Sequence, residues 1–300
     1  MSTAHKIQNQ SHPSLLTSLE LIKPITWFPP MWAFLCGAVS TGMIATSNFY
    51  LVGLGMFLAG PVVCGMSQAA NDWCDRHVDA INEPNRPIPS GRMPEKWGLG
   101  IAVFMSIISL IIGWFLGIWG FGATILGVIC AWSYSAEPVR LKKSGIWGPF
   151  LVGLCYEGLP WFTGAAILSV GLPSSETIVL AALYALGAFG IMTLNDFKAI
   201  DGDREMGIKS LPVMIGEHSA ARLACAAMII PQIMVIGLLL YWSLSVYGLI
   251  ILGSLVLQTL AMSRLLKNPT KFTPWYNATG VTLYVSGMMV SAIAISLRLA

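Results

Sequence analysis

Charged residues are scarce in this chain of 300 residues. Lys, Arg, Asp and Glu together make up 10% of it, whereas 55% of the residues are hydrophobic and the mean hydropathy is +0.71. This composition excludes a soluble domain, because too little polar surface would remain to face water. It predicts a polytopic, all-α integral membrane protein. The partner expected from it is a lipid bilayer, and no nucleic-acid partner is expected.

Cysteine and histidine are also few, and their spacing is uninformative. The six cysteines show no metal-ligand spacing, and five of them lie in apolar runs. They are interpreted as small buried hydrophobic residues. A structural zinc site and a disulfide framework are therefore not expected.

Hydropathy predicts nine transmembrane helices around a central cavity. With the N-terminus in the cytoplasm, the cytoplasmic segments hold all of the 17 Lys and Arg residues except Arg298. This distribution follows the positive-inside rule and requires an odd number of spans. The domains predicted are a cytoplasmic tail over residues 1–26, without a signal peptide, and one transmembrane domain over 27–300 with cytoplasmic motif loops at about 71–97 and 195–218. The nine spans are predicted near 27–46, 49–70, 98–117, 119–137, 146–169, 177–196, 219–241, 244–265 and 275–297.

The aspartates are concentrated in two places. All six lie in two short segments, and each segment opens with Asn-Asp-aromatic. In the first segment Asp72, Asp75 and Asp79 are spaced i, i+3 and i+7, which places them on one face if the segment is helical. Like charges at this spacing repel one another until a cation lies among them. The second segment holds Asp196, Asp201 and Asp203.

Carboxylates without His or Cys partners favour a hard cation that is bound through oxygen, above all Mg²⁺. Magnesium commonly combines a few carboxylates with substrate phosphates, and basic residues follow each acidic segment. Two clusters on the cytoplasmic face therefore predict a two-part site for a diphosphate. The alternative is a pair of solvated, charge-paired loops, but ordinary loops do not collect every Asp of a chain.

These motifs resemble those of the UbiA superfamily of membrane prenyltransferases, and the resemblance covers nearly the whole chain. NEPNRPIPSG at 82–91, YSAEP at 134–138 and NDFK at 195–198 are similar to the chlorophyll and bacteriochlorophyll synthases of that superfamily. ITWFPP at 25–30, NDWCDRH at 71–77, CYEGLPW at 155–161 and PWYN at 274–277 are similar to the bacteriochlorophyll branch.

The resemblance implies the esterification of the 17-propionate of bacteriochlorophyllide by a C20 prenyl diphosphate, geranylgeranyl or phytyl. It implies an enzyme with Mg²⁺ as cofactor in the inner (intracytoplasmic) membrane of a phototrophic bacterium. One departure concerns the second acidic motif, where Ala199 stands at an expected Asp. Asp196 and Asp201 are both candidate substitutes. The residues implied are Asn71, Asp72, Asp75 and Asp79 for one metal, Asp196, Asp201 and Asp203 for the second, Arg76, Arg86, Arg140, Lys142 and Lys209 for the diphosphate, and Tyr134 for the allylic cation.

Three further residues are candidate contacts to the tetrapyrrole. His77 could ligate its magnesium, although an interfacial His is usually only solvated. Glu157 is costly in an apolar helix without a partner, so it either lines the cavity or bonds another helix. Trp161 could stack on the ring. Three alternative functions stay open: a chlorophyll synthase, a related prenyltransferase with a quinone-precursor acceptor, and a cation-coupled transporter. A transporter should place its acids near the bilayer midplane.

Overall fold

The chain is all-helical in a computed structural model, which describes residues 12–44 and 46–299. Short 3₁₀ turns at Pro24–Thr26, Thr46–Asn48, Leu141–Lys143 and Asp196–Lys198 join some of the helices. In chain order the helices are α1 Leu15–Ile22, α2 Phe28–Ser40, α3 Phe49–Phe57, α4 Gly65–Asn82, α5 Glu95–Phe115, α6 Gly117–Ser135, α7 Trp147–Gly153, α8 Leu159–Ser169, α9 Ser175–Asn195, α10 Ile200–Glu205, α11 Leu211–Ile215, α12 Glu217–Tyr241, α13 Ser245–Leu265 and α14 Pro269–Leu299.

Two pairs of helices are continuous through a π-helical segment. Leu58–Cys64 joins α3 to α4, and Leu154–Gly158 joins α7 to α8. Pro61 lies inside the first segment and Pro160 directly follows the second. Because proline has no N–H to donate within a helix, a locally wider turn lets the helix continue past it. Each pair therefore forms one long rod.

The helical membrane architecture predicted from hydropathy is confirmed. Eight helical stretches of the described residues are long and apolar enough to cross a bilayer. The first predicted span, 27–46, contains only the 13-residue helix α2, which is shorter than a usual span. The count of nine therefore stays a prediction.

The two predicted loops and the predicted tail contain more helix than the sequence suggested. Residues 71–82, placed in a motif loop, are the last three turns of α4. The second motif loop contains the 3₁₀ turn Asp196–Lys198 followed by α10 and α11. In the tail, α1 buries Leu21 completely against α4, whereas residues 1–11 lie outside the described part of the chain.

The most buried of the long helices is α9, and α5 is the least buried. The Tyr184 ring of α9 stacks on Trp161 of α8, with the ring centroids 5.5 Å apart. The Tyr184 hydroxyl shares a 2.9 Å hydrogen bond with Ser291, and Tyr284 donates to the Tyr184 carbonyl at 2.8 Å. These bonds satisfy polar groups where no water is available.

Glycines bring α2 and α8 into direct backbone contact. A Cβ atom on Gly37 would lie 1.9 Å from the carbonyl oxygen of Trp161, and one on Gly164 would lie 2.2 Å from that of Phe34. Membrane helices commonly use small residues for such close approach. The backbones of α2 and α8 are therefore packed closely together.

We expect Gly37→Ala to destabilise the fold by about 3 kcal/mol, since the added methyl group must push two backbones apart. The measurement is the thermal midpoint of the detergent-purified protein. Gly53→Ala is the matched control, because no heavy atom lies within 4 Å of a Cβ built there. Equal midpoints in the two variants would contradict the packing described above.

Candidate active site

One cavity of about 1320 Å³ connects both acidic segments to the apolar interior. Its polar end is lined by the ends of α4 and α9, and its apolar part by residues such as Phe34, Leu58 and Thr124. Thr124 precedes Tyr134 by ten residues on α6, which is about 15 Å along a helix axis. The cavity thus offers a charged end and an extended apolar channel.

The first acidic segment confirms the helical spacing expected from the sequence, since Asp72, Asp75 and Asp79 all line the cavity from α4. Asp72 is 1% exposed. Its Oδ1 accepts from Lys23 Nζ at 2.7 Å and from Arg86 Nη1 at 3.3 Å. Arg86 Nη1 also donates to Asp79 Oδ2 at 2.7 Å. Two cations thus offset the repulsion within this face.

Asp75 is held from the segment that follows α6. Arg140 Nη2 donates to Asp75 Oδ1 at 2.8 Å, and Lys142 forms an ion pair with Oδ2. Asn71, one turn before Asp75, donates from Nδ2 to Ser135 Oγ at 3.3 Å. Asn71 lines the same cavity. A single helix therefore presents three carboxylates and one carboxamide to the cavity.

The second acidic segment contributes two of its three aspartates. Asp196 and Asp203 line the cavity, together with Lys198. Asp201, in contrast, is 96% exposed in its side chain and lies 3.7 Å from Arg204 on the outside of α10. Asp196 is accordingly the better placed substitute for the missing Asp at Ala199.

The second acidic segment is in direct contact with the segment that follows α6 and with the end of α4. Gly145 N donates to Lys209 O at 2.8 Å, and Lys209 N donates to Lys143 O at 3.3 Å, so Ser144 and Lys209 form an isolated parallel β-bridge. Asn82 Nδ2, at the end of α4, lies 3.3 Å from the Met206 sulfur. The basic segment 140–143 is thereby fixed beside the second acidic segment.

Burial disfavours the charges outside the membrane-spanning helices. It raises the pKa of the Asp203 carboxyl. It also lowers the pKa of the Lys142 ammonium, although the neighbouring Asp75 carboxylate acts in the opposite direction and raises that pKa. Shifts of this kind in a cleft are typical of sites that bind charged ligands.

The donor set fits a hard divalent cation. All candidate ligands are carboxylate or carboxamide oxygens, and Asp72 Oδ2 is buried with no hydrogen-bond partner in the described part of the chain. Within the described ranges no three His, Cys, Asp or Glu side chains already converge at ligand distance. The basic side chains pair with the carboxylates instead.

Two basic residues predicted for the diphosphate point elsewhere. Arg76 lies over the Trp73 ring at 4.5 Å and donates to Glu95 at 2.8 Å, on the flank of α4 towards α5. Lys209 is exposed, whereas its neighbours Ile208 and Ser210 line the cavity. Arg86, Arg140 and Lys142 do line it.

None of the three predicted tetrapyrrole contacts reaches the cavity. His77 is exposed on the outer side of α4. Glu157 is 4% exposed, and its Oε2 has no hydrogen-bond partner among the described residues. Trp161 is completely buried against Tyr184.

Two cavity residues were missed from the sequence. Lys23 lies in the predicted tail, but its left-handed backbone (φ 46°) after α1 directs its side chain to Asp72. The signal available was a basic residue just before ITWFPP at 25–30. Lys198, within NDFK at 195–198, was the other.

Comparison with known proteins assigns the family. The chain matches the UbiA prenyltransferase family over residues 26–287. The chain belongs to this family. It is 61% identical to the bacteriochlorophyll synthase 33 kDa chain of Cereibacter sphaeroides over 98% of both proteins, and 36% identical to the chloroplastic chlorophyll synthase of Oryza sativa over 93% of this chain and 76% of the relative.

A solved structure has the same fold. The UbiA homolog from Archaeoglobus fulgidus, bound to DMAPP and Mg²⁺, superposes with a TM-score of 0.69 at 17% identity, over 92% of this chain and 99% of that one. The chain is a multi-pass membrane prenyltransferase, and the resemblance to chlorophyll and bacteriochlorophyll synthases is confirmed. An enzyme is thereby favoured over a transporter.

Proposed function

We propose that this prenyltransferase transfers a C20 prenyl group, geranylgeranyl or phytyl, from its diphosphate to the 17-propionate of bacteriochlorophyllide and releases diphosphate. The observation that carries the proposal is the 61% identity to a bacteriochlorophyll synthase over 98% of the chain. The cavity supports it, because its charged end suits a diphosphate and its apolar channel suits a long prenyl chain.

The proposed topology has nine spans with the N-terminus in the cytoplasm of a phototrophic bacterium and the charged end of the cavity on the cytoplasmic side of the inner membrane. It is supported by the distribution of Lys and Arg, which fall almost wholly on one side in this arrangement. In this arrangement α2 is the short first span.

The metal proposed is Mg²⁺ at two positions. Asn71, Asp72, Asp75 and Asp79 would hold the first ion, and Asp196 with Asp203 the second. The oxygen donors and the unpaired Asp72 Oδ2 support this assignment. When bound, magnesium supplies positive charge to the diphosphate oxygens as the leaving-group charge develops.

The residues of the chain do the rest by charge and position. Arg86, Arg140 and Lys142 form ion pairs with the carboxylates of the first acidic segment. With a divalent ion bound to those carboxylates, the three side chains would be free to bind the diphosphate. Lys23 and Lys198 add charge from two other sides. Tyr134 lines the cavity at the end of α6, where its ring can face a developing allylic cation.

The reaction needs no strong general base. Carboxyl pKa values lie near 4, so the propionate is ionised at neutral pH. Its oxygen forms the new bond to C1 of the prenyl group, and the bond from C1 to the diphosphate oxygen breaks with its electron pair leaving on diphosphate. Loss of diphosphate is the difficult step, and the basic residues of the cavity can stabilise the negative charge that develops on it.

The test is direct. The purified protein in detergent is incubated with Mg²⁺, bacteriochlorophyllide and geranylgeranyl diphosphate, and the ester and diphosphate are separated by chromatography. Magnesium-dependent ester formation supports the proposal. Product only with chlorophyllide or a hydroxybenzoate would replace the acceptor, and no transfer to any acceptor by folded protein would overturn the reaction.

Lys142→Met is expected to raise the KM for the prenyl diphosphate roughly tenfold or more, because a charge-assisted contact is lost. Lys209→Met is the matched control, since that side chain is exposed and lies outside the cavity wall. Steady-state kinetics at saturating acceptor measure both. A larger effect for Lys209→Met than for Lys142→Met would refute the placement of these two lysines.

A further inference from the structure

An asparagine pair at the rim of the cavity has no role in the site described so far. Asn195, the last residue of α9, has an exposed side chain that lines the cavity. Asn277 of α14 donates from Nδ2 to Asn195 Oδ1 at 3.2 Å. This bond occupies the Asn195 oxygen and therefore fixes the orientation of its carboxamide. The amino group then contacts, among the described residues, only the Met192 sulfur at 3.7 Å.

The corresponding residue of the first motif is oriented in the opposite way. The amino group of Asn71 donates to Ser135 Oγ, so its oxygen is the atom that remains available to a ligand in the cavity. In Asn195 the oxygen is engaged by Asn277, so the amino group is the atom that remains available. Since oxygen binds cations and N–H donors bind anions, the two asparagines suit ligands of opposite charge.

The Asn277 side chain adds a second observation. Its Oδ1 is buried and, within the described ranges, has no hydrogen-bond partner. A buried unpaired amide oxygen is unfavourable, so stability alone does not explain an asparagine at this position. Its one bond serves to hold the Asn195 carboxamide.

We infer that the Asn195 amino group binds the carboxylate of the acceptor and that Asn277 is the positioning residue that turns it into the cavity. This inference rests on the proposed function, in which the acceptor reacts through a carboxylate. Arg86, Arg140 and Lys142, the basic residues proposed for the diphosphate, all contact the first acidic segment. Asn195 lies at the end of α9, where its carboxamide is a neutral donor.

A neutral donor is the suitable group for this task. The acceptor carboxylate must be oriented, and it must also keep its nucleophilic electron pair. An amide N–H gives a directional hydrogen bond to the carboxylate. A salt bridge to a cation would withdraw more of the charge that has to attack C1.

The experiment compares bacteriochlorophyllide with its 17-propionate methyl ester, which lacks the carboxylate and is used as a competitive inhibitor. Asn195→Asp can still accept from Asn277 Nδ2, but it presents an oxygen to the cavity instead of an amino group. We expect the KM for bacteriochlorophyllide to rise roughly tenfold or more, because a hydrogen bond to a charged group is replaced by repulsion. The Ki of the methyl ester and the KM for geranylgeranyl diphosphate should change less than about twofold.

Asn277→Asp tests the positioning role. A carboxylate at that position can only accept a hydrogen bond, so the Asn195 amino group rotates to donate to it and no longer faces the cavity. The same rise in the acceptor KM is expected, without a change in the Ki of the methyl ester. Asn277→Ala, which only frees the carboxamide to rotate, should give a smaller rise.

Three results would overturn the inference: an unchanged acceptor KM in Asn195→Asp, equal weakening of the methyl ester, or a rise confined to the prenyl diphosphate. In each of these cases the wild-type protein still esterifies bacteriochlorophyllide. Failure of the wild-type protein to do so would instead remove the proposed function and this inference with it.

Discussion

Asp75→Ala is expected to lower kcat/KM for prenyl transfer roughly a thousandfold, as the removal of one group from a preorganised electrostatic site can do. Asp75 is the carboxylate in contact with both Arg140 and Lys142, so its loss removes a proposed metal ligand and also disorders two proposed diphosphate-binding cations. The measurement is steady-state transfer by detergent-purified protein.

Two further variants make this prediction sharp. Asp75→Asn keeps the shape and one acceptor oxygen, so it should fold even if alanine, by leaving the largely buried Lys142 without its carboxylate, does not. It should be nearly as inactive, because it lacks the negative charge that binds Mg²⁺. His77→Phe, on the exposed side of the same helix, is expected to leave the rate unchanged. Substantial activity in folded Asp75→Asn would refute the metal assignment.

Asp203→Ala is expected to cause a comparable loss, because this half-buried carboxyl is one of only two acidic ligands proposed for the second metal. Alanine also removes a charge that burial disfavours, which is seen in the raised pKa of Asp203. The variant should therefore fold at least as stably as the wild type while transfer is lost. Activity and thermal midpoint are measured on the same preparation.

The matched control is Asp201→Ala, two residues away on the same short helix. Its side chain is 96% exposed and points away from the cavity, so we expect wild-type rates. The comparison also tests whether Asp201 binds the metal in place of the Asp that is expected at position 199, where this chain has Ala199. If Asp201→Ala were inactive and Asp203→Ala active, the placement of the second acidic segment would be wrong.

Much of this arrangement could be predicted from the sequence, because membrane helices leave a strong periodic and compositional signal. Hydropathy located the long helices, since each must satisfy its own backbone in lipid. The i, i+3, i+7 spacing of Asp72, Asp75 and Asp79 placed them correctly on one face, because α4 continues through that segment.

The contacts of the basic residues were predicted less well, because a long side chain can reach several partners and only the fold determines which of them lie nearby. Arg76 is close to the acidic face of α4, yet it contacts Glu95 and the Trp73 ring. Lys23 was missed because it is 49 residues away from Asp72 in the sequence, and only the fold brings the end of α1 next to Asp72.

Lys209 shows a different limit. The motif around it was recognised, but the direction of its side chain depends on the β-bridge between Ser144 and Lys209. Ile208 and Ser210 line the cavity, whereas Lys209 between them is exposed. A tertiary pairing between segments some 65 residues apart has no local signal.

That same pairing has a mechanical consequence. Gly145 and Lys209 are joined by a backbone hydrogen bond of 2.8 Å, which couples the segment with Arg140 and Lys142 to the segment with Asp203. We expect the two segments to become ordered together when the prenyl diphosphate and the second metal ion bind. The amide of Gly145 should accordingly exchange its hydrogen with solvent more slowly when both are bound.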